Sequence, residues 1–196
     1  MRDTRISMGK LILIRHGEAQ EDGDDILLSE TGKKQAKELA KRLSTMHLDL
    51  VYASDYRRAA QTYQAFHDLK PDVPAIFSPK VREIYRVIIG GPEREGTPSD
   101  RAQEDRKRAD DIYEEITKLT KTGKNVVMFC HGNIIRYFIA KALQLPKEQL
   151  WKEMPIDNAS VTVIEITSKQ ATLKILNSTD HLDSHPRKKL RMKPLL

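Results

Sequence analysis

A short apolar run that ends in an arginine and a histidine constrains the fold of this chain most strongly. Leu11 to Ile14 contains four consecutive aliphatic residues, and Arg15-His16-Gly17-Glu18 follows directly. An apolar run of this length is typical of a parallel strand that is buried on both faces. Because ligands bind at the carboxyl ends of such strands, Arg15 and His16 are expected at a binding edge that suits an anion. From this motif alone, His16 could equally cap the strand with its ring bonded to the backbone.

A second apolar run repeats this arrangement later in the chain. Residues 125–130 form the run, and His131-Gly132 follows it. A helix predicted from about Asn133 to Leu143 would place the His131 imidazole beside free backbone N–H groups, which bind anions well. Two histidines at equivalent strand ends are harder to explain as structural residues than one.

The segments between these runs predict alternating helices and strands. Ala36, Leu39, Ala40 and Leu43 repeat at helical spacing, and Thr31 is the predicted N-cap of that helix. We therefore predict an α/β fold, a three-layer α/β/α sandwich with helices on both sides of a mostly parallel central sheet. The remaining predicted elements are strands at 48–53 and 75–78, a helix from Pro98-Ser99-Asp100 to Gly123, a short helix through Trp151, and a hairpin of 160–166 with 171–176.

A pair of arginines follows the second predicted strand. Ser54 or Asp55 can cap a helix whose first turn contains Arg57 and Arg58. Cations at a helix N-terminus oppose the helix dipole, unless an anion lies between them. Arg58 is the predicted anion ligand, and Arg57, about 100° away around the helix, is predicted to lie on the surface.

A glutamate among apolar residues is the candidate proton donor. Glu83 lies between Val81 and Ile84, and partial burial would raise its pKa so that it could protonate a leaving group. Glu93 and Glu95, in a following glycine-containing segment, remain alternatives for this role.

Together these motifs resemble the histidine phosphatase superfamily, the phosphoglycerate-mutase-like enzymes. The matching features are Arg15-His16-Gly17-Glu18, an arginine three residues before Gln61-Thr62, Glu83, and His131-Gly132. The resemblance implies a nucleophilic His16, phosphate binding by Arg15, Arg58 and His131, proton donation by Glu83, and no metal or other cofactor. It covers about residues 10 to 178, and residues 129–166 most resemble the phosphoglycerate-mutase-like protein serine/threonine phosphatases.

The resemblance implies a phosphomonoester hydrolase that acts through a phosphohistidine intermediate. Its substrate would be a phosphorylated small molecule or a phosphoprotein. A phosphoglycerate-mutase-type phosphotransferase and a non-enzymatic phosphate-binding module are the alternatives. The short segment from Ile84 to Ser99 favours the phosphatase, because it predicts an open pocket that admits water.

A second motif in the chain is typical of a different class of phosphatase. Cys130 and Arg136 have the C-x₅-R spacing of cysteine-dependent phosphatases. Two points oppose this alternative, since Cys130 belongs to an apolar run and Ile134 and Ile135 lie where a phosphate loop needs small or polar residues.

Charge and length set the expected organisation. The net charge is +6, and five of these positive charges lie in residues 185–196, which contain no acid. We expect a leader at 1–9, one catalytic domain at 10–180 and a basic tail at 181–196. With one cysteine and no apolar run near ~18 residues, we expect a cytoplasmic protein without nucleic-acid or membrane partners, and a homodimer is one option for its assembly.

Overall fold

A six-stranded sheet with the strand order β3-β2-β4-β1-β5-β6 forms the centre of the structure. The structure is a computed structural model, which describes residues 8–20, 26–98, 100–147 and 150–182. β1 to β4 pair in parallel with one another, and β5 and β6 extend the sheet from β1 in antiparallel pairing. The strands are β1 Gly9–Arg15, β2 Leu50–Ala53, β3 Ala75–Phe77, β4 Asn125–Cys130, β5 Val161–Ile166 and β6 Ala171–Ser178.

Helices cover both faces of this sheet. The helices are α1 Glu30–Ser44, α2 Arg57–His67, α3 Arg101–Lys121, α4 Gly132–Leu143 and α5 Leu150–Glu153, with 3₁₀ turns at Pro79–Val81 and Arg86–Ile89. Within the described ranges, none of the helices is long and apolar enough to cross a lipid bilayer.

Alternate residues of the central strands supply two separate hydrophobic cores. Leu11 and Leu13 of β1 point towards α3 and α4, whereas Ile12 and Ile14 pack against α1 and α2. β4 divides in the same way, because successive side chains of a strand point to opposite faces of the sheet. The predicted three-layer α/β/α sandwich is therefore confirmed.

Two predicted helix caps differ from the structure. Ser29, rather than Thr31, caps α1, and its hydroxyl accepts a hydrogen bond from the Gly32 N–H. α2 begins after Tyr56, and neither Ser54 nor Asp55 caps it through a side chain. The Ser54 hydroxyl instead lies within hydrogen-bond distance of the His131 ring.

Some predictions lie outside the described residues. These are the leader up to residue 7, Ser99 and the basic segment from 183 to 196. His181 and Leu182, which we assigned to the tail, pack on the body of the protein. Arg42 lies 3.1 Å from the His181 ring, and Leu182 contacts the core formed by α1 and α2.

Candidate active site

His16 lies directly after β1, and three chain segments hold its backbone and ring. Its N–H donates to the Cys130 carbonyl at 3.0 Å, and its carbonyl accepts from the Ala159 N–H at 3.0 Å. The ring Nδ1 lies 2.7 Å from the Gly17 carbonyl oxygen, and the Arg58 Nε–H donates to His16 Nε2 at 3.1 Å. Because a guanidinium can only donate, Nε2 carries the lone pair and Nδ1 carries the proton. The nitrogen that faces Arg58 is therefore the one with a lone pair.

The surroundings of His16 keep its ring neutral. Burial lowers the pKa of His16 to about 3, and the charges of Arg58 and Arg15 act in the same direction, against the Gly17 carbonyl. The ring therefore keeps its lone pair at neutral pH.

The two predicted arginine ligands approach this ring from different elements. Arg15 ends β1, and its Nη1 donates to the Ile156 carbonyl at 2.5 Å. The Nε of Arg15 is buried without a hydrogen-bond partner among the described residues. Arg58 extends from the first turn of α2 to His16, whereas Arg57 is exposed, as predicted. Arg15 therefore offers an N–H donor beside the candidate nucleophile.

His131 lies beside His16 at the end of the neighbouring strand. The two ring centroids are 5.1 Å apart, and the His131 ring is completely buried. Its Nε2 lies 2.9 Å from the Ser54 hydroxyl, and its Nδ1 has no hydrogen-bond partner among the described residues. Burial lowers the pKa of His131 well below its usual value, and nearby His16 and Arg58 contribute to this shift. His131 is therefore a neutral ring with one unused nitrogen.

Glu83 reaches the same region from a loop. Its carboxylate accepts hydrogen bonds from the backbone N–H groups of Asn133 at 3.0 Å, Ile134 at 3.2 Å and Ile84 at 3.1 Å. Burial raises the pKa of Glu83, and these N–H groups and the charge of Arg15 only partly oppose the shift. The carboxyl group thus lies at the N-terminus of α4, the helix that begins directly after His131. Its raised pKa gives it an increased tendency to hold a proton.

The alternative acids are more exposed than Glu83, and Glu95 lines a groove beside it. Glu93 and Glu95 are both exposed, on the segment that follows the second 3₁₀ turn. The described residues contain no cluster of three or more histidine, cysteine or acidic side chains that could hold a metal ion.

The cysteine alternative finds little support in the geometry. Cys130 is completely buried within β4, and burial raises the pKa of its thiol well above the usual value. Arg136 donates to the Met154 carbonyl at 2.7 Å and to Asn133 Oδ1 at 3.3 Å, so protein acceptors occupy it. A thiolate nucleophile is therefore disfavoured at this position.

Three residues that the sequence analysis did not select hold the site together. The Thr62 hydroxyl accepts from the Gly17 N–H at 3.1 Å, the Ser54 hydroxyl contacts His131, and Asn133 Nδ2 donates to the Ile84 carbonyl at 3.0 Å. Thr62 belongs to the Gln-Thr pair already noted in the resemblance, which was the available signal. For Ser54 and Asn133, only their positions directly after a strand and beside a histidine pointed to the site.

Comparison with known sequences identifies the family of this chain. The chain matches the sequence profile of the histidine phosphatase superfamily (branch 1) over residues 11–104 and 90–179. The chain belongs to the histidine phosphatase superfamily. The match includes His16, Arg58, Glu83 and His131, and it confirms the family resemblance drawn from the motifs.

Individual members of the superfamily are similar over most of the chain. A probable phosphatase of Schizosaccharomyces pombe is 28% identical over 92% of this chain and 99% of its own length. The mitochondrial serine/threonine-protein phosphatase PGAM5 of Xenopus tropicalis is 30% identical over 80% of this chain, but this region covers only 59% of that protein.

A solved structure agrees with the fold. Phosphoserine phosphatase from Entamoeba histolytica, determined in complex with 3-phosphoglyceric acid, superposes with a TM-score of 0.69. It is 25% identical, and the aligned region covers 89% of this chain and 99% of that chain.

Proposed function

We propose that this protein hydrolyses phosphomonoesters through a phosphohistidine formed on His16. The lone pair of His16 Nε2 attacks phosphorus, an N–P bond forms, and the bond from phosphorus to the leaving oxygen breaks. Glu83, protonated at the start, gives its proton to the leaving oxygen. Arg15, Arg58 and His131 surround the non-bridging oxygens, where they stabilise the charge of the transferring group.

In the second step, water replaces the leaving group. Glu83 is now a carboxylate, and it removes a proton from the water as the water attacks phosphorus. The N–P bond breaks, inorganic phosphate leaves, and the His16 ring returns to its neutral form with Nε2 unprotonated.

One observation supports this mechanism most directly. The hydrogen bonds at Gly17 and Arg58 assign the proton of His16 to Nδ1 and the lone pair to Nε2. A histidine that only capped the strand would need no arginine at its second nitrogen. The protein therefore prepares one ring nitrogen for attack and surrounds it with cations.

The test is hydrolysis of para-nitrophenyl phosphate in the presence of EDTA, followed as release of inorganic phosphate. We expect the unaltered protein to turn over and to yield an acid-labile, base-stable phosphoenzyme after rapid quenching. Transfer of the phosphoryl group to a phosphoglycerate acceptor, with little free phosphate, would instead favour a mutase. Failure to hydrolyse phosphomonoesters or to form a phosphoenzyme would favour a binding module.

We also propose that the leaving group lies in a groove beside Glu83. This groove has a volume of about 490 Å³ and begins at Ile84 and Asn133, which flank the Glu83 carboxylate. Three arginines and one glutamate contribute to its lining, so it favours leaving groups with an additional negative charge. The lining side chains include Tyr85, Arg86, Arg94, Glu95, Arg101 and Trp151. Both a small carboxylic acid and an acidic phosphopeptide have this charge, and the phosphoserine phosphatase and PGAM5 relatives make phosphorylated serine compounds the first candidates.

Paired substrates test this preference. We expect a higher kcat/KM for glycolate 2-phosphate than for ethyl phosphate, and for a phosphoserine peptide with flanking glutamates than for the same peptide with glutamines. Arg94→Gln should reduce each ratio, while Lys118→Gln, an exposed charge near the far end of α3, should leave it unchanged. Equal rates within both pairs would contradict the preference and leave the hydrolysis mechanism untouched.

A further inference from the structure

The segment that carries Glu83 lies outside the sheet, so its backbone depends on other partners. Residues 79–85, called here the acid segment, follow β3 and begin with the 3₁₀ turn Pro79–Val81. Beyond that turn, the N–H of Ile84 bonds to the Glu83 carboxylate, and the N–H of Tyr85 bonds to a side chain of α3. The conformation around Glu83 is thus set largely by side chains from distant parts of the chain.

Arg108 of α3 is the main partner of the acid segment. Its Nη1 contacts the carbonyl oxygens of Pro79 at 3.1 Å, Lys80 at 3.0 Å and Arg82 at 3.0 Å. Its Nη2 donates to the carbonyl of Glu83 itself at 3.0 Å. One guanidinium group therefore gathers four carbonyl groups of the acid segment, which a single lysine ammonium has neither the shape nor the number of donors to reproduce.

Asp105, one turn earlier on α3, completes this arrangement. Its Oδ1 accepts from Arg108 Nη2 at 2.6 Å, and its Oδ2 accepts from the Tyr85 N–H at 2.8 Å. The side chain of Asp105 is only 12% exposed, and that of Arg108 is 21% exposed. The pair thus binds the backbone on both sides of the Glu83 side chain, at the carbonyl of residue 83 and at the N–H of residue 85.

The other end of Glu83 is fixed by α4. The carboxylate receives the N–H groups of Asn133 and Ile134, and Asn133 Nδ2 holds the Ile84 carbonyl at 3.0 Å. The backbone of Glu83 is therefore bound to α3 and its carboxylate to α4. A shift of the acid segment would move the carboxyl group relative to His16, and a displacement of ~1 Å at an active site can cost about 10²-fold in rate.

We propose that Arg108 and Asp105 are positioning residues for proton donation by Glu83. This inference rests on the proposed function, because it requires Glu83 to protonate the leaving oxygen. Neither residue touches the substrate, and both act through the backbone of the acid segment. Their loss should consequently resemble the loss of Glu83 and should not resemble a general weakening of phosphate binding.

The dependence of rate on the leaving group separates these possibilities. 2,4-Dinitrophenolate leaves readily without a proton, whereas phenolate, a much stronger base, needs general-acid assistance. We expect Glu83→Gln to lower kcat/KM for phenyl phosphate by about 10²- to 10⁴-fold and to have far less effect on 2,4-dinitrophenyl phosphate. Arg108→Lys should show the same selectivity with a smaller loss for phenyl phosphate, about 10- to 10²-fold.

A double variant and a matched control complete the experiment. If Arg108 acts through Glu83, adding Arg108→Lys to Glu83→Gln should cause little further loss with phenyl phosphate, because the two effects are coupled. Arg106→Lys makes the same substitution at an exposed position of α3 and should leave both rates unchanged. Circular dichroism and thermal unfolding monitor folding, and Asp105→Asn, which keeps an acceptor for the Tyr85 N–H, provides a milder variant.

Two results would overturn the inference. One is an equal loss on both substrates in Arg108→Lys and Asp105→Asn, and the other is a double variant whose loss is the product of the single losses. If either occurs while Glu83→Gln remains selective for phenyl phosphate, the proposed acid stands and only the positioning role fails. If Glu83→Gln itself shows no selectivity, the assignment of Glu83 as proton donor fails, and the positioning role fails with it.

Discussion

The two sides of the candidate active site are built in different ways. Arg15 is the last residue of β1, and His16 and His131 directly follow β1 and the adjacent parallel strand β4. The backbone of Arg15 and His16 is tied to the sheet and to the loop before β5. Glu83 instead lies on a loop that is held by the Arg108 side chain and by the N-terminus of α4. The candidate nucleophile is thus positioned by the sheet, while the candidate acid is positioned by side chains of α3 and by backbone and side-chain donors at the start of α4.

This difference separates what each side can tolerate. β1 pairs with β4 from Lys10 opposite Asn125 to Arg15 opposite Cys130, so His16 and His131 cannot move apart without disrupting central pairing of the sheet. The acid segment can move when one guanidinium is lost. We therefore expect substitutions on the strand side to act on phosphate chemistry itself, and substitutions on the loop side to act on proton transfer.

The largest effect is expected from the loss of the candidate nucleophile on the strand side. His16→Ala should reduce kcat for para-nitrophenyl phosphate by at least about 10³-fold and abolish the phosphoenzyme, because no other group replaces Nε2. His47→Ala removes a histidine whose side chain is 82% exposed and should retain full activity. Turnover by His16→Ala at a rate close to that of the unaltered protein would rule out His16 as the nucleophile.

The next effect distinguishes the two sides by pH. The pKa of His16 is lowered to about 3, so its ring stays neutral and reactive throughout the range above that value. The pKa of Glu83 is raised, so its proton-donating form persists to higher pH than usual and is lost as pH rises through the shifted value. For a poor leaving group, kcat/KM should therefore fall on the alkaline side, after correction for ionisation of the substrate.

Glu83→Gln checks the origin of that fall. Glutamine does not titrate, so the alkaline decrease in kcat/KM for phenyl phosphate should disappear, at a lower overall rate. Glu95→Gln removes the alternative acid that lines the groove, and it should keep the alkaline decrease of the unaltered protein even where the rate itself changes. If the decrease persists in Glu83→Gln and vanishes in Glu95→Gln, the two acids exchange roles.

The sequence predicted the strand side of the site better than the loop side. Buried parallel strands are marked by continuous apolar runs, so residues 11–14 and 125–130 located both histidines at one edge of a sheet. The roles predicted for Arg58 and Glu83 came from local patterns, namely a helix N-terminus and apolar neighbours, and the family resemblance implied the same roles. The sequence did not predict that β4 lies between β1 and β2, because strand order depends on long connections and on packing.

The sequence did not predict that Arg108 binds the segment that carries Glu83, and the reason is physical. Arg108 lies in a helix rich in charges, most of which face water, and nothing in its local sequence separates it from Arg106. Its function in the fold depends on carbonyl groups more than twenty residues earlier in the chain. Similarly, the prediction of Thr31 as the cap of α1 was wrong, and Ser29 is the cap. Both residue types are good N-caps, so the local sequence does not choose between them.

A moderate effect is expected from the partner of His131. Ser54→Ala removes the hydroxyl that lies 2.9 Å from His131 Nε2, so the ring loses the contact that selects its tautomer and orientation. We expect a decrease in kcat/KM of about 2- to 10-fold, the usual value of one hydrogen bond. If Ser54 acts through phosphate binding by His131, as we propose, the decrease should be similar for 2,4-dinitrophenyl and phenyl phosphate. A loss confined to phenyl phosphate would mean that Ser54 acts on proton transfer, as Glu83 does, and would contradict the proposed difference between the two sides.

The smallest effect is expected at Cys130, which is the last residue of β4 and directly precedes His131. Cys130→Ala removes a completely buried thiol from β4 but leaves the carbonyl that accepts the His16 N–H. Catalysis should therefore change little, while the small cavity lowers the free energy of unfolding by about 1 kcal/mol. Kinetics with para-nitrophenyl phosphate and urea unfolding measure the two quantities separately. Loss of activity in Cys130→Ala with normal unfolding, together with turnover by His16→Ala, would transfer the nucleophilic role to the thiol, because the backbone contact to His16 is the same in both proteins.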